Sequence, residues 1–141
     1  MASGVQAFKA DLAKWADVVN QDIADVLRYV ALDLFNRITQ KNPVDTGYSR
    51  SQWRLSEGSP DTTVDEPPAR TKDRAGTFDI PVADLAALAN VTPQSIIYVT
   101  NSVNYIQYLE EGSSQKAPNG MIRISIAEVA SNIDADIARA A

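Results

Sequence analysis

From Val5 to Asn42 the chain contains neither Pro nor Gly, and Phe8, Leu12, Trp15, Val19, Ile23, Val26, Val30, Leu34 and Ile38 recur there every three or four residues. Between them stand Lys9, Asp11, Lys14, Asp17, Asp22, Asp25, Arg28, Asp33 and Arg37, a mixed-sign set suited to a solvated or salt-bridged surface. The spacing predicts one amphipathic helix over residues 4–41, stopped by Asn42-Pro43. At about 1.5 Å per residue it would be a rod of about 55 Å. A compact domain of this length has a radius of gyration of about 14 Å. Unless the helix breaks near Asn20-Gln21, where two polar residues meet, it outruns its own domain. Part of its stripe, Phe8, Leu12, Trp15, Val19, Ile23 and Val26, is then expected to pack on another subunit. A kinked helix, or two helices folding back on each other, is the alternative.

The remaining pattern is mixed. Asn42-Pro43-Val44-Asp45-Thr46-Gly47 reads as a turn, because Pro fixes φ, Asp can close an Asx-turn and Gly accepts positive φ. Tyr48 to Glu57, with Trp53 and Leu55 alternating with polar residues, reads as a strand. A long polar loop follows at about 58–81, carrying the basic cluster Arg70, Lys72 and Arg74. Val82 to Asn90 reads as a short helix and Ser95 to Asn101 as the clearest strand. Tyr105, Ile106, Tyr108 and Leu109 form an apolar patch before a turn at Gly112. From Pro118 on, Ile122, Ile126, Val129, Ile133 and Ile137 mark a C-terminal amphipathic helix. The pattern is that of an α+β fold over residues 1–141 as a single domain, with a long N-terminal helix and a C-terminal helix packed on one face of a small antiparallel β-sheet.

Composition narrows the chemistry. With 141 residues and 45% hydrophobic content the chain can form one core. It has no Cys and no His, which excludes thiolate nucleophiles, disulfides, Cys/His zinc sites and imidazole catalysis. Thirteen Lys and Arg against 18 Asp and Glu give a net charge of −5, which argues against a broad nucleic-acid footprint. The start Met1-Ala2-Ser3-Gly4 has no signal-like pattern and no stretch is apolar enough to span a bilayer, so no membrane partner is expected.

Candidate reactive groups are few. Asp45-Thr46-Gly47 matches the tripeptide that holds the catalytic Asp of retroviral-type aspartic proteases, but it follows a helix stop and no flap sequence accompanies it. Glu110 and Glu111 are adjacent, and neighbours in sequence diverge on either a helix or a strand, so a structural role is expected. Arg70, Lys72 and Arg74 suit a solvated loop, or contact with an acidic neighbouring subunit, better than a phosphate site. Tyr98, Tyr105 and Tyr108 suit core or interface. No catalytic residue, cofactor or metal is expected.

Three blocks occur in order after the long helix. They are Asn42-Pro43-Val44-Asp45-Thr46-Gly47 with Ser49-Arg50-Ser51-Gln52-Trp53, then Asn104-Tyr105-Ile106-Gln107-Tyr108-Leu109-Glu110-Glu111-Gly112-Ser113-Ser114-Gln115, then Ala117-Pro118-Asn119-Gly120-Met121-Ile122-Arg123. Together they resemble the tail-completion and head-tail joining proteins of long-tailed bacteriophages, the HK97 gp10-like family that includes the minor tail protein Z type. The resemblance implies a non-enzymatic structural protein of the virion, made in the host cytoplasm. It would form a homo-oligomeric ring in the neck, with a hexamer matching tail symmetry. Its neighbours would be the head connector or stopper and the tail terminator or tube, with genomic DNA a non-specific passenger in the channel. Pro43, Asp45, Thr46, Gly47, Trp53, Tyr105, Leu109, Glu110, Gly112, Pro118, Gly120 and Met121 are the positions expected to brace the domain. The alternative from the residues alone is a small non-viral α+β adaptor that captures a partner helix.

Overall fold

One helix, α1 (Ala2–Lys41), runs unbroken for 40 residues, so the polar pair Asn20-Gln21 does not interrupt it. The computed structural model describes residues 2–44, 47–66, 81–83 and 85–140, without the side chains of 2–4, 15, 18, 19, 139 and 140. After α1 come a helical turn α2 (Tyr48–Ser51), strand β1 (Arg54–Glu57), a 3₁₀ turn (Leu85–Leu88), strand β2 (Ile97–Thr100), and helices α3 (Ile106–Glu110) and α4 (Ile122–Ala140). The two strands pair antiparallel, with Arg54 opposite Thr100 and Glu57 opposite Ile97. The fold is α+β: α1 and α4 pack along each other, and α1 also meets β2.

Several local expectations shift. Residues 48–51 are helical rather than extended, because Gly47 turns the chain at φ 89° and the Ser51 N–H closes onto the Gly47 carbonyl at 2.9 Å. Only four residues of the expected strand remain, and Trp53 precedes it. The helix expected at 82–90 is a single 3₁₀ turn. The first part of the long loop is tied down: Tyr48 Oη donates to the Asp65 carbonyl at 2.7 Å, and the Asp65 N–H donates to Gln52 Oε1 at 2.8 Å.

The core contains Phe35, Ile38, Trp53, Leu55, Leu88 and Met121. On α1 the buried row is Ala24, Ala31, Phe35 and Ile38, with Leu27 partly buried beside it. At about 100° per residue, that row is centred roughly 120° around the helix from Phe8, Leu12, Ile23, Val26 and Val30. The helix therefore has two apolar faces, and the long stripe joins the core only at its C-terminal end, through Leu34 and Ile38. Every described residue from Val5 to Ile23 is exposed. α4 is turned by less, about 60°: Val129 of the expected stripe is buried and Ile122 packs against the core, but Ser125 and Asp136 share the buried row, whereas Ile126 and Ile137 are exposed.

A polar seam explains the rotation. Arg37 donates to Asp33 Oδ1 at 2.6 Å and to Glu128 Oε2 at 2.7 Å, and Lys41 reaches the same Glu128 oxygen at 2.9 Å. Burial pushes the Asp33 carboxyl up, but hydrogen bonds from Arg37, Asp136 and Asn132 outweigh it and hold the group below the usual carboxylate range. These pairs set α4 antiparallel to α1 along its C-terminal half. The 3₁₀ turn is held by Arg28, whose guanidinium donates to the carbonyls of Leu88 at 2.9 Å and Val91 at 3.3 Å.

Candidate functional site

Several of the described residues among the expected bracing positions lie close together. Asn42, buried at the end of α1, spends its whole amide: Nδ2 donates to the Pro43 carbonyl at 2.9 Å and to Ser49 Oγ at 2.8 Å, and Oδ1 accepts from Trp53 Nε1 at 2.9 Å. A buried amide left short of partners would cost about 1–3 kcal/mol. This one is satisfied entirely by its own block. The second and third blocks attach to it through Lys116 Nζ, which donates to the Val44 carbonyl at 2.8 Å, and across a groove of about 310 Å³ between Pro43, Tyr48, Tyr105 and Leu109. Asn101 Nδ2 adds a bond to the Ser49 carbonyl at 2.7 Å.

Glu110 has a role that neighbouring sequence does not announce. Its Oε2 accepts the N–H groups of Met121 and Ile122 at 2.7 and 2.8 Å, and its Oε1 accepts that of Arg123 at 3.0 Å. It caps the N-terminus of α4 from a distant segment, satisfying donors that have no partner within the helix. Burial raises its carboxyl, but the three backbone donors and the Arg123 charge prevail and bring it below the ordinary value. A depressed folded-state pKa contributes stability above the unfolded value, and that contribution is lost as pH falls through the folded value. Glu110→Gln is therefore expected to cost about 1 kcal/mol at neutral pH. In urea unfolding series, its deficit relative to the parent should shrink steadily below about pH 4. A deficit independent of pH would dismiss the charge-assisted cap.

The approach depends on two glycines. Gly112 sits at φ +94°, where an added Cβ would lie 2.3 Å from the Pro118 carbonyl oxygen. Gly120 sits at φ +79°, where a Cβ would lie 2.3 Å from the Glu110 carbonyl oxygen and 2.8 Å from its Oε1. Each glycine of one block makes room for a residue of the other. Met121, beside the cap, is completely buried.

The expected interface residues do not share one environment. Phe8 and Leu12 are 62% and 50% exposed and Ile23 is also exposed, whereas Val26 is half-buried. The side chains of Trp15 and Val19 lie outside the described residues, as do Asp45, Thr46, Arg70, Lys72 and Arg74 in full. Val5 extends the exposed row toward the N-terminus, and Tyr105 and Tyr108 add exposed aromatic surface at α3. Among the described residues no cluster of acidic side chains could hold a metal, and no helix is long and apolar enough to cross a membrane. Comparison with protein-family models, with curated proteins and with solved structures found no match.

Proposed function

We propose that this chain is a structural virion protein of a long-tailed bacteriophage, a tail-completion or head-tail joining subunit that assembles as a ring in the neck. The observation that carries the reading is the N-terminal half of α1. Its residues from Ala2 to Ile23 would span about 30 Å, and every side chain described there is exposed, with Val5, Phe8, Leu12 and Ile23 on one face. An isolated helix of that length is marginal in water, and an uncovered apolar row marks an interaction surface. Neighbouring copies packed against these arms would cover the row, and head-to-tail contacts of this kind close into cyclic oligomers. The three interlocked blocks supply the rigid body on which the arm is mounted. A net charge of −5 suits a ring around a DNA channel, since it opposes adhesion of the passing phosphates.

Immunogold labelling of intact phage particles with an antibody to this chain tests the reading. The expected result is label confined to the neck. Particles without label, together with a purified chain that stays monomeric and captures helical peptides, would establish the adaptor reading instead.

A further inference from the structure

Two strands alone make a marginal sheet, and an unpaired edge is a template for another strand. Here the Gly58 N–H donates to the Ile96 carbonyl at 2.9 Å, which sets the phase of the ladder. With the observed register, Ser56 with Tyr98 and Arg54 with Thr100 are the hydrogen-bonded pairs. Ile97 and Val99 therefore turn their N–H and C=O groups away from β1, and among the described residues nothing hydrogen-bonds to them.

β2 also lacks the usual protection of an edge. Ile96-Ile97-Tyr98-Val99-Thr100 contains no charge, Pro or Gly, and Ile96 is 61% exposed. Leu55, Ile97 and Val99 belong to the core side of the sheet. Beside β2 lies a cavity of about 390 Å³ whose apolar lining is Trp53, Val99, Ile106 and Ile122, with polar residues from 100–102 and α3 on the rest of its wall. An open row of main-chain groups next to an apolar cavity recognises one kind of ligand: an extended backbone with apolar side chains at alternate positions.

We infer that the β2 edge is a strand-addition site whose occupant is the Gly76–Pro81 segment of a neighbouring copy, an inference that rests on the ring reading above. Gly76-Thr77-Phe78-Asp79-Ile80-Pro81 alternates polar and apolar residues between two chain breakers. Phe78 and Ile80 are two apart, the spacing that places side chains on one face of an added strand. Residues 76–80 lie outside the described residues, but the chain that follows them enters the Leu85–Leu88 turn, which packs against β1. That turn lies against β1, so the outer edge of β2, on the other side of the sheet, is left for another copy. Donor and acceptor are then different surfaces, as ring closure requires.

The full chain carrying Phe8→Asp and Leu12→Asp, labelled with ¹⁵N, would be titrated with a synthetic peptide spanning Ala75 to Val82. The expected result is a shift of the Ile97 and Val99 amides with hydrogen exchange slowed about ten-fold or more, while Tyr98 and Thr100, already in the ladder, change little. A peptide with Asp at the Phe78 and Ile80 positions should do nothing. In the otherwise unaltered chain, Phe78→Asp with Ile80→Asp should weaken self-association about ten-fold or more, with the unfolding temperature unchanged. Unshifted Ile97 and Val99 amides, or unaltered assembly of that double variant, would overturn the inference. Persistent protection of Ile97 and Val99 in assemblies of the double variant would show β2 pairing with its own counterpart and overturn it too. Failure of the two readings is distinguishable. A peptide that protects the edge of a chain absent from the neck sinks the ring reading and leaves strand addition standing. An inert peptide with a chain located in the neck does the reverse.

Discussion

Phe8→Asp together with Leu12→Asp is expected to reduce the proposed ring to monomers while the domain keeps its fold. Both side chains are at least half exposed and no described part of the same chain covers them, so removing them takes nothing from the core. In an assembly, burying a side chain of this size contributes about 1.5–3 kcal/mol, and a carboxylate placed there adds a desolvation penalty. Two such changes should together cost about 4 kcal/mol or more, roughly a thousand-fold in association constant. Sedimentation velocity would read the mass, with the thermal midpoint within about 2 °C of the parent. Gln6→Asp, on the other side of the helix, serves as the control and should assemble normally. Unchanged ring mass in the double variant would reject α1 as the assembly surface. The positions are chosen with the structure in view: Val26, part of the expected stripe, is half-buried, so a charge there would confuse assembly with folding.

Both long helices could be read from periodicity, and the α+β class from their order with two β-rich segments. Which helical face would be buried could not. Ala24 and Ala31 carry little hydrophobic weight in a sequence, yet they lie on the buried side of α1. The seam with α4 is built from Asp33, Arg37, Glu128, Ser125 and Asp136, residue types that normally mark the outside. The larger Phe8, Leu12 and Ile23 pull any pattern-based reading toward the face the domain leaves uncovered. The site was legible in a different way. The three blocks stand out in order, but local sequence does not say that Glu110 reaches across to the start of α4, because a cap supplied by a distant segment has no fixed spacing. Arg28, which holds the 3₁₀ turn through carbonyls some 60 residues away, was for the same reason indistinguishable from any charged helix residue.

Gly120→Ala should be among the most damaging single-methyl additions in the domain, with Gly58→Ala as its internal standard. Both glycines have left-handed backbones, φ +79° and +84°, so each alanine incurs about 1–2 kcal/mol of conformational strain. At Gly58 nothing lies within 4 Å of the new Cβ and the cost ends there. At Gly120 the methyl would sit 2.3 Å from the Glu110 carbonyl oxygen, a backbone atom that cannot rotate away. Relief requires moving Glu110, and with it the carboxylate that receives the N–H groups of Met121, Ile122 and Arg123. Losing that cap adds about 1–2 kcal/mol, for a total of about 3 kcal/mol against a whole-domain stability of about 5–15 kcal/mol. Calorimetry should show a fall in midpoint of roughly 10 °C for Gly120→Ala and about half of that for Gly58→Ala. The further test is Glu110→Gln combined with Gly120→Ala. If the methyl acts by displacing the cap, the double variant is less destabilised than the sum of the singles, since the cap can be lost only once. Strict additivity would mean that Gly120 serves its turn alone and that the second and third blocks are not interlocked through Glu110.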